Sequence, residues 1–412
     1  MSISYVGKLS LGISNYSPTD GVANPNNNTF VTVETVKPSL RVYDPSTLTQ
    51  LLSATTLAAP KGVTLINNLS AVVTSNTQTT IDLIELSSGF RQNYAGGLTT
   101  IGVARTTGGQ YVAGDPSTNV AWGISTTAAT MVKINGNNFT VSTALISEEL
   151  NTSEVFYCVI LRVPGRWLAG TNDGSIVEID SSGNVTDFYR LGLTEFPLGK
   201  TNSGGGNQGR NINNMAYDSN ILTLSTDAAV VVMDWSTKTI LKQHPSPCSG
   251  TNPSLMLSNS ASGVALACMA DAGALQIAPM EMDLTIQPLT VRDQVFLDNN
   301  YAPQAIGVNS VNGNAFFLNV NFGLIVSLNI SPRVSTLRNI IIQSASGAGG
   351  VNQQGRLTIV DDTSGVGFSK VILDTYMTSP ATYRVPAGAT LIEFVKVGLG
   401  SNATWDLTRY ST

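Results

Sequence analysis

The stretch TNSGGGNQGRNINN, residues 201–214, carries a complete GxGxxG at Gly204, Gly206 and Gly209. Glycines at this spacing let a backbone wrap a pyrophosphate, but only where a strand leads in and a helix leads out. The helix N-terminus supplies the partial positive charge that holds the phosphates. Here RLGLTEFPLGK leads in, and the RNINNMAYDSNILTL that leads out reads as two strands. With 38 glycines in the chain, the spacing arises from composition, and no cofactor is expected. A glycine-rich loop between two sheets can instead touch a partner. Asn202, Gly204, Asn207, Gln208 and Arg210 are therefore candidate contact residues. Trp122, in NVAWGIS, is a candidate surface contact for a partner or a glycan, because an indole offers both a large apolar face and a polar edge.

Other reactive groups are few. The one histidine, His244, stands in TILKQHPSPCSG, at the expected end of an outer strand, so no His-based triad or metal cluster follows. TNDGSIVEID and DSSGNVTD bring oxygen ligands close together without the spacing of a calcium loop. Asn172-Asp173-Gly174 reads as a hairpin turn, since Asp-Gly supplies positive φ. Asp44, Asp180 and Asp234 recur after strands as turn residues, not as the facing carboxylates of a glycosidase. Cys158, Cys248 and Cys268 are far apart and form no CxxC, so they are read as buried free thiols. Trp167 and Trp235 fall in strand-like runs and are assigned to packing, and sequons such as those at Asn27, Asn138, Asn184 and Asn402 reflect composition. No catalytic or metal site is expected, and the chain is not expected to be an enzyme.

The elements that must position these residues repeat. An apolar strand, a polar or acidic residue, a turn and a further strand recur around Asp44, Glu85, Asn135, Asp180, Asp234, Pro279 and Asn329. The interval is roughly 40–55 residues, that of a four-stranded blade. Two more strand-like runs precede each copy, as in INNMAYD, ILTLST, AVVVMDW and TILKQH. One such sheet cannot bury both of its faces alone, whereas a ring of sheets can. The pattern predicts an all-β chain: a seven-bladed β-propeller over 1–343, opening at SYVGKLSLGIS, with no swapped closing strand. A Gly-rich linker, SASGAGGVNQQGR (344–356), follows. The runs RLTIV, VGFSKVILD, ATYRVP, TLIEFVKV and ATWDLTR then predict a small β-sandwich, jelly-roll-like, over 357–412.

Hydrophobic residues make up 42% of the chain and charged residues only 12%, with net charge −5. The absence of a basic cluster argues against nucleic acid, and no run is long enough to cross a membrane as a helix. The N-terminal stretch does not read as a signal peptide. The repeats resemble seven-bladed β-propellers in general but lack the diagnostic dipeptides of the WD40 and kelch families. The Ser/Thr/Asn/Gly-rich strands, the joint SGAGGVNQQGR and the segment TYRVPAGATLIEFVKVGLG resemble structural proteins of tailed-phage virions. That resemblance implies a virion structural or attachment protein, exposed on the particle. Its partners would be other virion proteins, copies of itself and host-surface glycan. The competing readings are a carbohydrate-binding or carbohydrate-cleaving propeller and a scaffold for protein partners.

Overall fold

The computed structural model describes residues 2–95, 111–192 and 211–245, apart from a few single positions and short gaps, and beyond them the strands between Leu255 and Ser411. Side chains are described mainly within 6–94, 111–192, 211–241 and 307–329. Every regular element among the described residues is a strand.

Seven four-stranded sheets form the blades. Their first strands are Pro18–Asn24, Pro60–Asn67, Val112–Asp115, Phe156–Val163, Ile212–Asp218, Leu255–Asn259 and Pro303–Val308. Each first strand touches the first strand of the next blade, and the last touches the first, which closes a ring around a central channel. The propeller read from the repeats is thus observed.

Its closure is not as expected. The outer strand of blade 7 is Ser2–Ser10, so the first strand of the chain completes the last blade. Leu337–Gln343, the last run inside the expected propeller span of 1–343, pairs instead with Gln354–Asp361 across the Gly-rich stretch. Blade 1 accordingly begins at Pro18, not at SYVGKLSLGIS. An outer strand brought from the far end of the chain has the same apolar pattern as a local one, so chain order alone misplaces it. The chain divides into a compact ring unit, Ile3–Ser331, and a second unit over Pro332–Thr412. The second unit holds the four-stranded sheet that starts at Leu337 and a hairpin of Leu391–Val397 with Thr404–Ser411.

The sequence makes blades because its strands are apolar on both faces, and successive residues point to opposite neighbours. In blade 4, Trp167, Ala169, Val177 and Ile179 pack with Trp122 and Met131 of blade 3. Their alternates Leu168 and Ile176 pack with Met215 and Leu222 of blade 5. Each such large side chain, fully buried, contributes roughly 1.5–3 kcal/mol. Between blades 2 and 3 the backbones come so close that a Cβ on Gly114 would lie 1.9 Å from the Leu65 carbonyl oxygen. The Gly114 N–H donates there to Thr64 Oγ1 at 2.8 Å.

Strand alternation sorts the connections into two sets. Turns between first and second strands, and between third and fourth, lie on the lower face of the ring. Second-to-third turns and the links from blade to blade lie on the upper face. On the lower face the recurring acidic residue caps its turn. Asp44 accepts the N–H groups of Ser46 and Thr47 at 2.8 and 2.9 Å, and Asp234 those of Ser236 and Thr237 at 2.8 and 3.1 Å. Asp180 accepts from Ser182 and Asn184 at 2.8 and 3.0 Å. The turn reading of these aspartates holds. In blade 6 the equivalent residue is Asp283, which pairs with Val264 as Asp234 pairs with Ile221, while Pro279 lies within the strand.

Asparagine side chains join neighbouring lower-face turns. Asn26 Nδ2 donates to Asn68 Oδ1 at 2.7 Å, and Asn67 Nδ2 to Asn119 Oδ1 at 3.2 Å. At the seam of blades 7 and 1, Asn309, Asn312 and Asn314 all donate to Asn28 Oδ1.

Candidate functional site

The upper mouth of the channel is built by the first residues of the inner strands, and there the strands break register in a repeated way. In blades 1, 2, 4, 5 and 7 one residue at the second position is squeezed out of the ladder. The extra residues are Thr19, Lys61, Tyr157, Asn213 and Gln304. A bulge twists its strand and re-aims a side chain, and bulges concentrate at rims and functional sites. In three of these blades the residue before the bulge is a proline, Pro18, Pro60 or Pro303, which suits a strand's first position because it has no N–H to place.

Thr19, Lys61 and Tyr157 are half-buried between buried neighbours, so the bulges keep them in reach of the channel mouth. The Thr19 hydroxyl donates to the Pro60 carbonyl at 2.9 Å, joining blade 1 to blade 2. Asp20, beside it, is buried, and its carboxylate accepts the Val63 N–H at 2.8 Å. Burial pushes the Asp20 carboxyl up to about 7, against the opposing pull of the Val63 and Gly21 N–H groups and of Lys61. Burial also draws the Lys61 ammonium below its ordinary value, opposed by Asp20. The Lys61 Nζ stands 5.2 Å from the centre of the Tyr111 ring, where the ring quadrupole attracts a cation.

The buried carboxylates elsewhere are each tied up separately. Glu34 holds Arg41 at 3.1 Å and Ser39 at 3.0 Å. Asp82 holds Arg91 at 2.8 Å and the Leu57 N–H at 2.6 Å. Glu154 accepts from Thr171 at 2.9 Å and pairs with Arg190. Glu178 accepts from Trp235 Nε1 at 2.8 Å, a contact from blade 5 back to blade 4. Among the described residues no group of three or more His, Cys, Asp or Glu is placed to hold a metal.

The residues singled out from sequence fare differently. Trp122 is fully buried in the blade 3–blade 4 interface, so it is a packing residue and not a surface contact. NVAWGIS forms a second strand covered on both sides, and a doubly covered strand shows no alternation to reveal which side chain is outside. Trp167 and Trp235 are buried as expected. Asn202, Gly204, Asn207, Gln208 and Arg210 lie outside the described residues, in the link between Arg190 and Ile212. The element after that link is a strand, Ile212–Asp218, and not the helix a dinucleotide loop requires. His244 falls on the outer strand Thr239–Pro245 of blade 5, as expected. The bulged residues were missed; the signal that could have found them is the proline opening PTDG, PKGV and PQAI.

Comparison with known proteins places this ring. No protein-family model matches the chain, and no curated protein matches its sequence. Solved structures do match. One is described as the structure of U3-55K, with a TM-score of 0.58 and 8% identity over 80% of this chain and 98% of that one. Another, the WD40 repeats of RRP9, gives a TM-score of 0.60 and 9% identity over 80% of this chain and 100% of that one. The likeness shows the fold. It is to WD40 propellers, although the repeats here lack the diagnostic dipeptide. It also corrects the expectation of a virion structural or attachment protein: the ring resembles WD40 propellers, not virion proteins. Much of the Ser and Asn that suggested a virion serves the lower-face turns, where Ser46 and Ser236 donate to the capping aspartates and asparagines link neighbouring turns.

Proposed function

We propose that this chain is a non-catalytic propeller that binds a protein partner across the upper mouth of its ring. The observation that carries this reading is the bulge repeated at one register position in five inner strands. Bulges also recur near the lower ends of the outer strand pairs of blades 1, 4, 5 and 6. Those at the upper rim differ in lying on the innermost strands, where they put the half-buried Thr19, Lys61 and Tyr157 at the channel mouth, within a partner's reach. The likeness in fold to WD40 propellers supports a scaffold. The lower face offers a contrast, since its amides and carboxylates are already spent on one another.

The test places a photoreactive phenylalanine analogue in the full chain, at position 157 on the upper mouth or at position 184 on the lower face. Each protein is irradiated in extract of the cells that make it. A discrete crosslinked protein from position 157 and none from position 184 is the expected result. Equal capture from both faces, or none from either, overturns the proposal.

A further inference from the structure

Lys61 is the one formal charge among the described bulge residues of the upper rim; Thr19, Tyr157 and Asn213 are neutral and polar. Its ammonium is half-buried and rests near the Tyr111 ring at 5.2 Å. No carboxylate pairs with it among the described residues. The nearest acidic group along the rim, Asp20, instead points an oxygen at the Val63 N–H, 2.8 Å away. Four other half-buried cations are matched, Arg41 by Glu34, Arg162 by Glu178, Arg190 by Glu154 and Lys238 by Asp187. Lys133 and Arg166, which have no carboxylate partner among the described residues either, stand on a third strand and beside a lower-face turn, away from the upper mouth. A cation partly stripped of water and left without its counter-charge is an arrangement that a ligand completes.

We infer that Lys61 receives a side-chain carboxylate of an extended segment of the partner protein, at the rim between blades 1 and 2. This rests on the partner-binding reading above and names the chemistry of that site. A single ammonium with a neutral polar surround suits one carboxylate. A phosphate group would call for a fork of donors or several cations, as a guanidinium supplies. Burial pulling the Lys61 ammonium down is consistent with a charge that lacks a close partner in the free protein.

The probe is a library of heptapeptides, acetylated and amidated so that no terminal charge competes, with glutamate or glutamine at the centre and random flanks. The full chain is immobilised, and bound peptides are quantified by mass spectrometry. Enrichment of glutamate over glutamine by about tenfold is expected for the native chain at low salt. Lys61→Arg keeps most of that preference. Lys61→Gln brings it to about one, while circular dichroism and the melting temperature show the ring intact. A preference that survives Lys61→Gln, or no preference in the native chain, overturns the inference. If position 157 still captures a partner by photocrosslinking while the glutamate preference is missing, this inference falls and the partner-binding reading stands. If neither appears, both fall.

Discussion

Asp20 is a carboxyl whose proton is at stake near neutrality. Its value in the folded chain, about 7, lies above the ordinary 3.8. Between those two values the folded state holds a proton that the unfolded state has released, so stability falls as pH rises through the window. The cost fully developed above pH 7 is on the order of a few kcal/mol. Asp20→Asn keeps an oxygen for the Val63 N–H and removes the charge. The variant should melt higher than the native chain at pH 8 and nearly alongside it at pH 4, read by thermal scans across pH. Asp115 behaves oppositely. Burial would raise it, but hydrogen bonds from Ser117, Gly165 and Thr118 outweigh burial and leave it lowered. Its contribution is present above the ordinary carboxylate range and is lost as pH falls through the depressed value. Because Asp115 links the blade 3 turn to the Gly165 N–H of blade 4 at 2.7 Å, Asp115→Ala should cost about 1–3 kcal/mol in urea unfolding at pH 7. At this scale the sequence was legible where a residue satisfies its own turn, as Asp44, Asp180 and Asp234 do. It was opaque for Asp20, whose environment is made by a different blade.

A strand in this ring is read twice, once by each neighbour. That explains why periodicity located the strands yet could not say that Trp122 was covered, and why no one run disclosed a bulge. A bulge shows only in the pairing between two strands, and the sequence of either strand alone carries just the proline in front of it. The closest approach of two blades makes the sharpest test of such packing. A methyl group on Gly114 would meet the Leu65 carbonyl, which is backbone and has no rotamer to yield. Gly114→Ala should therefore cost more than about 3 kcal/mol by forcing blades 2 and 3 apart. By contrast Gly165→Ala, with nothing within 4 Å of the added carbon but a φ of +76°, should cost only about 1 kcal/mol of backbone strain. Chemical denaturation of both variants separates the two effects.

For the whole molecule, the number of blades was legible because a strand leading into a polar or acidic turn residue recurs along the chain, with the cap itself seen at Asp44, Asp180 and Asp234. The closing strand was not, because nothing in Ser2–Ser10 names its partner across more than three hundred residues. The ring unit runs from Ile3 to Ser331. A chain ending at Ser331 should keep a single cooperative unfolding transition, whereas the same chain lacking residues 1–10 should melt lower and broaden, since blade 7 then exposes the edge of Leu324–Ser331. Calorimetry on the two truncations decides it.

The same closing strand sets a schedule for synthesis. Residues 2–10 leave the ribosome ahead of the other strands of the ring, and the strand they complete, Leu324–Ser331, leaves after six blades have already emerged. At ordinary elongation rates of about 5–20 residues per second, the N-terminal strand waits roughly 15–60 seconds with its edge unpaired. Its three serines and its Lys8 then matter less for the finished ring than for the interval before it closes, when an exposed β-edge is most open to a wrong partner.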